Sequence, residues 1–254
     1  MIADEISIKY IGGATAVLEA GGLRMLTDPT FDPIDSKYDM GLYILHKLAN
    51  PSVSVNEIGR IDYVLLSPDH HFDNLDRTGR QFLTTVNNVF TTTLGAKRLA
   101  GNAVGLKSWE TVTKPTKDGR FLEITGTPCQ HGPVDGERGP VTGFVLNFKD
   151  EPDGAVYITG DIIWFDGIQE VARRFDIGLV VLFFGAAVVT EVGPAHLTMT
   201  VDESLKIAEL FDRALIVPLH FEGWEHFTES QKEIVNKFRN AGLLERLHWA
   251  EKFV

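Results

Sequence analysis

The chain has 254 residues, 44% of them hydrophobic, enough for one large domain with a sizeable core or two small ones. A formal net charge of −11 disfavours a sequence-independent grip on a phosphate backbone, which argues against nucleic acid as a partner. A single cysteine, Cys129, excludes an intrachain disulfide and is compatible with a reducing compartment.

Met1 is followed by acidic residues, without the basic start and apolar core of a signal peptide. No uninterrupted apolar run approaches the ~20 residues a membrane helix needs. The expectation is a cytoplasmic protein without a membrane partner. Oligomeric state is left open, and a homo-oligomer is compatible with the sequence.

Residues 6–10, 14–20 and 23–27 read as strands, with Gly12-Gly13 and Gly21-Gly22 between them. This opening meander delivers Asp28 at a strand end, before Pro29 and Pro33 stop regular structure. A long connection over 31–56 follows, of a length common in lids and binding loops, with a helix expected over 38–48.

Residues 61–66 form a buried strand, and Asp73 or Asn74 is placed to cap a helix running to Leu83, with Asp76 in its first turn. Strands follow at 89–92, 111–115, 121–125 and 141–148, with a helix at 94–100 closed by Gly101 and a loop at 132–139. Strand and helix then alternate: a strand over 155–159, a helix over 168–174, and an almost wholly apolar strand over 179–184. Thr200 with Glu203 reads as a capping box for a helix to Phe211, and 215–219 is a further buried strand. Thr228 with Gln231 is expected to start a last helix, ended by Gly242. No internal repeat or domain boundary is visible, so 1–254 reads as one domain.

The chemistry concentrates after the 61–66 strand, where Asp69, His70, His71, Asp73, Asn74 and Asp76 crowd together. Imidazole and carboxylate side by side suit a divalent transition metal. Three further candidates sit where a strand gives way to a loop: His131 in Gln130-His131-Gly132, Asp161 in Thr159-Gly160-Asp161, and His220 in Pro218-Leu219-His220. Strand ends on a rigid sheet can hold ligands to the tolerance a metal demands. Taken singly, His131 also reads as a loop histidine bonded to a carbonyl, Asp161 as a turn acid, and His220 as a satisfied core histidine.

Taken together with Thr27-Asp28-Pro29, these stretches resemble, in order and spacing, the motifs of the metallo-β-lactamase superfamily. The 69–76 run is similar to its His-x-His-x-Asp-His signature, and the branch it resembles is the lactonase-related one that includes ascorbate-6-phosphate lactonase. The resemblance implies an α/β (α+β) fold of the four-layer αββα type, with metals at one edge of the sandwich. It also implies zinc or manganese as cofactor, with iron compatible, as one or two ions held by Asp69, His70, His71, Asp73, His131, Asp161 and His220. Asp28 would support a ligand by hydrogen bonding.

The signature is altered, and two registers are open. Without a gap, Asp69 and His71 take the first two ligand positions, Asp73 the acidic one, and Asn74 replaces the last histidine. With one inserted residue, Pro68 takes the first position and His70 the second, while Asp73 keeps its place. The branch it resembles, with Ser-His-Asp-His-His-x-Asp-Asn-Leu-Asp, favours this gapped register, in which Pro68→His would raise metal affinity.

The resemblance implies hydrolysis of a small-molecule ester, lactone or phosphoester by metal-activated water, and the sequence does not choose among the three. Asp73 would orient the water or act as base, and His226 would protonate the leaving group. His196 is a second candidate for orienting substrate, Trp224 and Phe221 suit a pocket wall or the core equally, and His46 and His248 read as surface or structural. The alternative is a metal-poor, impaired relative acting as a binding or structural protein. Nucleophilic chemistry is disfavoured, since no Gly-x-Ser-x-Gly elbow is present.

Overall fold

The meander forms as β1 (Ser7–Gly12), β2 (Thr15–Ala20) and β3 (Leu23–Thr27), paired antiparallel. β3 then pairs in parallel with β6 (Tyr63–Leu65), which leads to β7 (Val89–Thr92) and β8 (Ala103–Leu106). A short β15 (Glu251–Lys252) pairs in parallel with β1 and completes a seven-stranded sheet. A second sheet of six strands is built from β9 (Thr111–Pro115), β10 (Phe121–Thr127), β11 (Gly143–Phe148), β12 (Ala155–Ile158), β13 (Ile177–Phe183) and β14 (Leu215–Leu219). This computed structural model describes residues 6–136, 138–149 and 153–253. The segment 1–5, on which the reading of the N-terminus rests, and Glu137 of the 132–139 loop lie outside them.

Three apolar layers hold the fold together. Between the sheets pack Leu18, Met25, Phe90, Leu122, Phe144, Val181 and Leu219. The outer face of the second sheet, with Tyr157, Val180 and Ile216, is covered by α3 (Asp166–Arg174), α4 (Val201–Leu210) and α5 (Gln231–Asn240) through Val171, Ile207 and Phe238. On the first sheet, Leu26, Val64 and Val89 pack with Leu75 and Leu83, on the side of α1 (Arg77–Phe82). Every residue of β13 is buried, as a strand covered on both faces requires. The result is the expected αββα sandwich. Among the described residues no helix is long and apolar enough to cross a membrane.

Topology gathers the site. β3 and β6 run parallel, and β10, β12 and β14 share one direction, because β11 is antiparallel to both its neighbours while β12, β13 and β14 are parallel. The segments leaving β3, β6, β10, β12 and β14 therefore meet at one end of the sandwich.

Four local expectations are corrected. The 38–48 helix is instead a hairpin of β4 (Lys37–Asp39) and β5 (Ile44–His46). Tyr38 and Leu45 face each other across it, both buried against Trp224, while Leu42 and Ile44 are exposed. That alternation is a strand signature, and the Asp39 carboxylate accepting from the Gly41 N–H (2.8 Å) makes the turn.

α1 is capped by Asp76, whose Oδ1 accepts from the Gly79 N–H at 2.8 Å, and not by Asp73 or Asn74. Gly79 is required there: a Cβ would lie 1.9 Å from the Pro29 carbonyl oxygen. α5 starts two residues later than expected, with Ser230 and Glu233 forming the reciprocal box, while Thr228 bonds the Ala186 carbonyl instead. β8 and β15, which are short, were not expected from the pattern. The other helices, including α2 (Thr93–Leu99), agree to within two residues at each start.

Candidate metal centre

Asp28 leaves β3 in a left-handed conformation and is fully buried. Its Oδ1 accepts from the Ser67 N–H and its Oδ2 from the Ser67 hydroxyl, both at 2.6 Å, and Asn74 Nδ2 donates to Oδ2 at 3.3 Å. Burial pushes the Asp28 carboxyl up to about 8, although Ser67 pulls the other way. It thus fixes the start and middle of the 67–76 loop.

Within that loop the two registers separate. His71 reaches the centre: its ring lies 4.9 Å from that of His131, and ligand atoms of His71, His131 and Asp161 all lie within 4.8 Å of one another. His70 turns away, with Nε2 3.1 Å from the Arg138 carbonyl oxygen. Asp69 is also outside the cluster. Its carboxylate is clamped by Arg98, through Nε at 2.7 Å and through Nη2, and the salt bridge holds it well below its usual range against the opposing effect of burial. The geometry agrees with the ungapped register at His71 and with neither register at the first ligand position, since Asp69 is diverted to Arg98 and Pro68 has no ligand atom. Pro68→His is therefore expected to leave zinc affinity, measured by calorimetry, unchanged to within about twofold, the scale of a substitution that touches no special feature. A tenfold gain would restore the gapped alignment.

A second set of ligand atoms, from Asp73, Asp161 and His220, also converges within 4.8 Å. His220 is fully buried at the end of β14, at a φ of 57°, with its N–H donating to the Gly13 carbonyl at 2.8 Å. Its Nδ1 stands 3.3 Å from Asp161 Oδ1 and its Nε2 3.3 Å from Asp73 Oδ2. Asp161 belongs to both sets.

The outer contacts orient these groups. His131 Nδ1 pairs with the Leu197 carbonyl at 2.9 Å, which assigns the proton to Nδ1 and turns Nε2, as a neutral acceptor, toward the cluster. His226 Nε2 lies 3.0 Å from Asp73 Oδ2, so Asp73 is shared by two histidines.

Charge is distributed unevenly. Burial pushes the Asp161 carboxyl up to about 6; His220 opposes this and Asp73 adds to it. Burial acts the same way on Asp73, but the imidazoles of His220 and His226 beside it outweigh burial and hold that carboxyl well below its ordinary value. Burial and the neighbouring His70 lower His71 to about 4, and burial with His71 takes His131 well below the usual imidazole range. Burial alone would lower His220, yet the two carboxylates beside it raise it.

Both oxygens of Asp161 and both ring nitrogens of His220 are buried without a hydrogen bond. Buried polar atoms in such numbers call for a partner, and imidazole with carboxylate is the donor set of zinc, manganese or iron. The residues fit a divalent cation. Cys129 stays outside: burial pushes its thiol up to about 12. His196 is held at the start of α4 by Glu203 (3.2 Å), and His46 sits between Asp35 and Glu225 at the surface. Trp224 packs under the hairpin and Phe221 against Tyr10 and Trp249.

A profile described as the beta-lactamase superfamily domain matches residues 23–221, most of the chain. The chain belongs to that superfamily. It is 23% identical over 90% of its length to a UPF0173 metal-dependent hydrolase of Caldivirga maquilingensis, of which 88% is covered. Two solved structures share the fold: a possible metal-dependent hydrolase from Veillonella parvula (TM-score 0.82, 16% identity, 97% of each chain) and an isothiocyanate hydrolase from Delia radicum gut bacteria (TM-score 0.76, 24% identity, 95% of each chain).

Sequence reasoning missed the residues that frame the centre. Arg138 and Tyr43 line the small cavity beside it, with His71, Asp73, His131 and His226. Arg98, which diverts Asp69, lies 29 positions away, and no local pattern announces it.

Proposed function

We propose that this superfamily member is a metal-dependent hydrolase that opens a small ester, lactone or phosphoester with an activated water. The observation that carries the reading is the convergence of His71, His131, Asp161, Asp73 and His220 from separate strand ends, with the ligand atoms of Asp161 and His220 buried, facing one another and Asp73 at 3.3 Å without forming a hydrogen bond. The relatives' description as metal-dependent hydrolases supports it. A divalent cation bound there, zinc or manganese with iron also compatible, would polarise the substrate oxygen and acidify water.

The protein's own groups do the rest. Asp73 Oδ2 is kept anionic between two histidines, so it can orient a water and accept its proton. His226 donates from Nε2 to Asp73, which leaves Nδ1, buried and without a partner, to carry a proton to the leaving group. Met40, Leu45, Phe72 and Val189 form an apolar wall, and the enclosed volume of about 30 Å³ admits one water. The 37–46 hairpin supplies Met40, Tyr43 and Leu45 to the lining, so its displacement would widen the cavity for a substrate. The partner is a small molecule.

The test compares zinc- and manganese-loaded protein with chelator-stripped protein on 4-nitrophenyl acetate, γ-butyrolactone and 4-nitrophenyl phosphate. Turnover of at least one only when metal is present is expected. His226→Asn should lower kcat by about 10²–10⁴ without changing metal content, as loss of a positioned acid–base group does. Absence of turnover from metal-loaded protein would favour the second reading, a metal-poor binding protein, which the diversion of Asp69 and the presence of Asn74 support.

A further inference from the structure

Among the described residues, Arg138 is the one lysine or arginine lining the cavity beside the cluster, and its backbone is held by the histidine-bearing loops. Its N–H donates to the His131 carbonyl at 2.9 Å, and its own carbonyl meets His70 Nε2 at 3.1 Å. The following Gly139, at a φ of 96°, lies so close that a Cβ would stand 2.7 Å from His70 Nε2, so only glycine lets the loop settle on the histidines. The side chain lines the cavity together with Asp73, His131 and His226.

Most arginines of this acidic chain are paired. Arg98 holds Asp69, Arg77 faces Asp32, Arg173 holds Glu170 and Arg213 holds Asp176. Among the described residues no carboxylate pairs with Arg138. The Tyr43 hydroxyl, carried on the turn between β4 and β5, is within reach of the Arg138 side chain and lines the same cavity. A guanidinium at a cavity wall with no carboxylate paired to it has donors to spare, in a planar fork suited to two oxygens on one centre.

We propose that Arg138 is the substrate-binding residue that reads an anionic group, a carboxylate or a phosphate, with the Tyr43 hydroxyl holding that place until substrate displaces it. The inference rests on the hydrolase reading and narrows it: of the small esters, lactones and phosphoesters, those bearing an anionic oxygen pair are preferred. The same contact accounts for access. When the hairpin moves to admit substrate, Tyr43 leaves Arg138, and the entering anion replaces the lost acceptor.

The test is binding to zinc-loaded protein, read from the rise in unfolding midpoint with added inorganic phosphate or sodium acetate, with acetamide as the neutral probe. Arg138→Met is expected to weaken the preferred anion by about tenfold or more, the scale of a charge-assisted pair, and to leave acetamide unaffected. Tyr43→Phe should bind that anion as tightly as wild type or more so. Arg138→Lys should restore phosphate in part, since a point charge still serves it, and acetate less. Which anion shows the larger Arg138 effect distinguishes a phosphorylated from a carboxylated substrate. Equal anion affinity in wild type and Arg138→Met, at full zinc content in both, would overturn the inference and leave the hydrolase reading standing. Failure of the wild type to take up zinc would count against that reading instead.

Discussion

Asp161→Asn is expected to bind zinc more than about a hundredfold more weakly than wild type, exceeding the loss seen when only an outer-shell partner is removed. The reason is that Asp161 contributes to both candidate ligand sets, one with His71 and His131 and one with Asp73 and His220. Any occupancy of the centre passes through its carboxylate. The same substitution should raise the stability of the metal-free protein. Folding lifts the Asp161 carboxyl from an ordinary 3.8 to about 6, chiefly by burial. Between those values the folded state binds more proton than the unfolded state, so this group's contribution falls as pH rises and stays low above about 6. Asparagine carries no such penalty. Metal-free Asp161→Asn should therefore melt above metal-free wild type at pH 7 and close to it at pH 4. A variant that loses both metal and fold would mark Asp161 as structural.

Lys47→Met should lower the unfolding free energy by about 3–5 kcal/mol, the range for breaking a buried ion pair by removing one partner. Lys47 follows β5 directly and is almost fully buried, with Nζ 3.2 Å from Asp76 Oδ2, 3.2 Å from the Thr30 carbonyl oxygen, and 5.4 Å from the centre of the Trp224 ring. Asp76 in turn accepts from the Asp32 N–H at 2.6 Å and caps α1. One lysine thus ties the hairpin to the loop that carries His71 and Asp73. Burial lowers the Lys47 ammonium and raises the Asp76 carboxyl, each offset in part by the partner. Without Lys47 the Asp76 carboxylate loses that offset, so its cost grows at high pH and is relieved as pH falls and the carboxyl is protonated. Urea unfolding at pH 8 and pH 5 checks this: a loss that is larger at pH 8 is expected, and one independent of pH would exclude the ion pair as its source.

The αββα architecture was legible because its strands are apolar runs punctuated by glycine and proline, and because the five motifs fall in superfamily order. Asp161 and His220 could be placed at a common end since each follows a buried strand. What stayed hidden depends on contacts between distant positions. Nothing local shows that Arg98 will capture Asp69, or that His71 rather than His70 will face His131. The hairpin was misread as a helix because Tyr38, Leu45 and Leu48 also satisfy a helical spacing; the decision belongs to Trp224, which is brought over Tyr38 from far along the chain. Arg138 sits in a loop with no apolar pattern, and its relevance appears only once the loop is folded onto the histidines.

Anomalous scattering at the zinc edge, from crystals grown with zinc and without chelator, tests the central claim most directly. A peak within bonding distance of Asp161 and of either the His71–His131 pair or the Asp73–His220 pair is the expected result. Zinc confined to surface histidines such as His46 or His196, with the strand-end cluster showing no peak, would contradict the assignment of these residues as a metal centre.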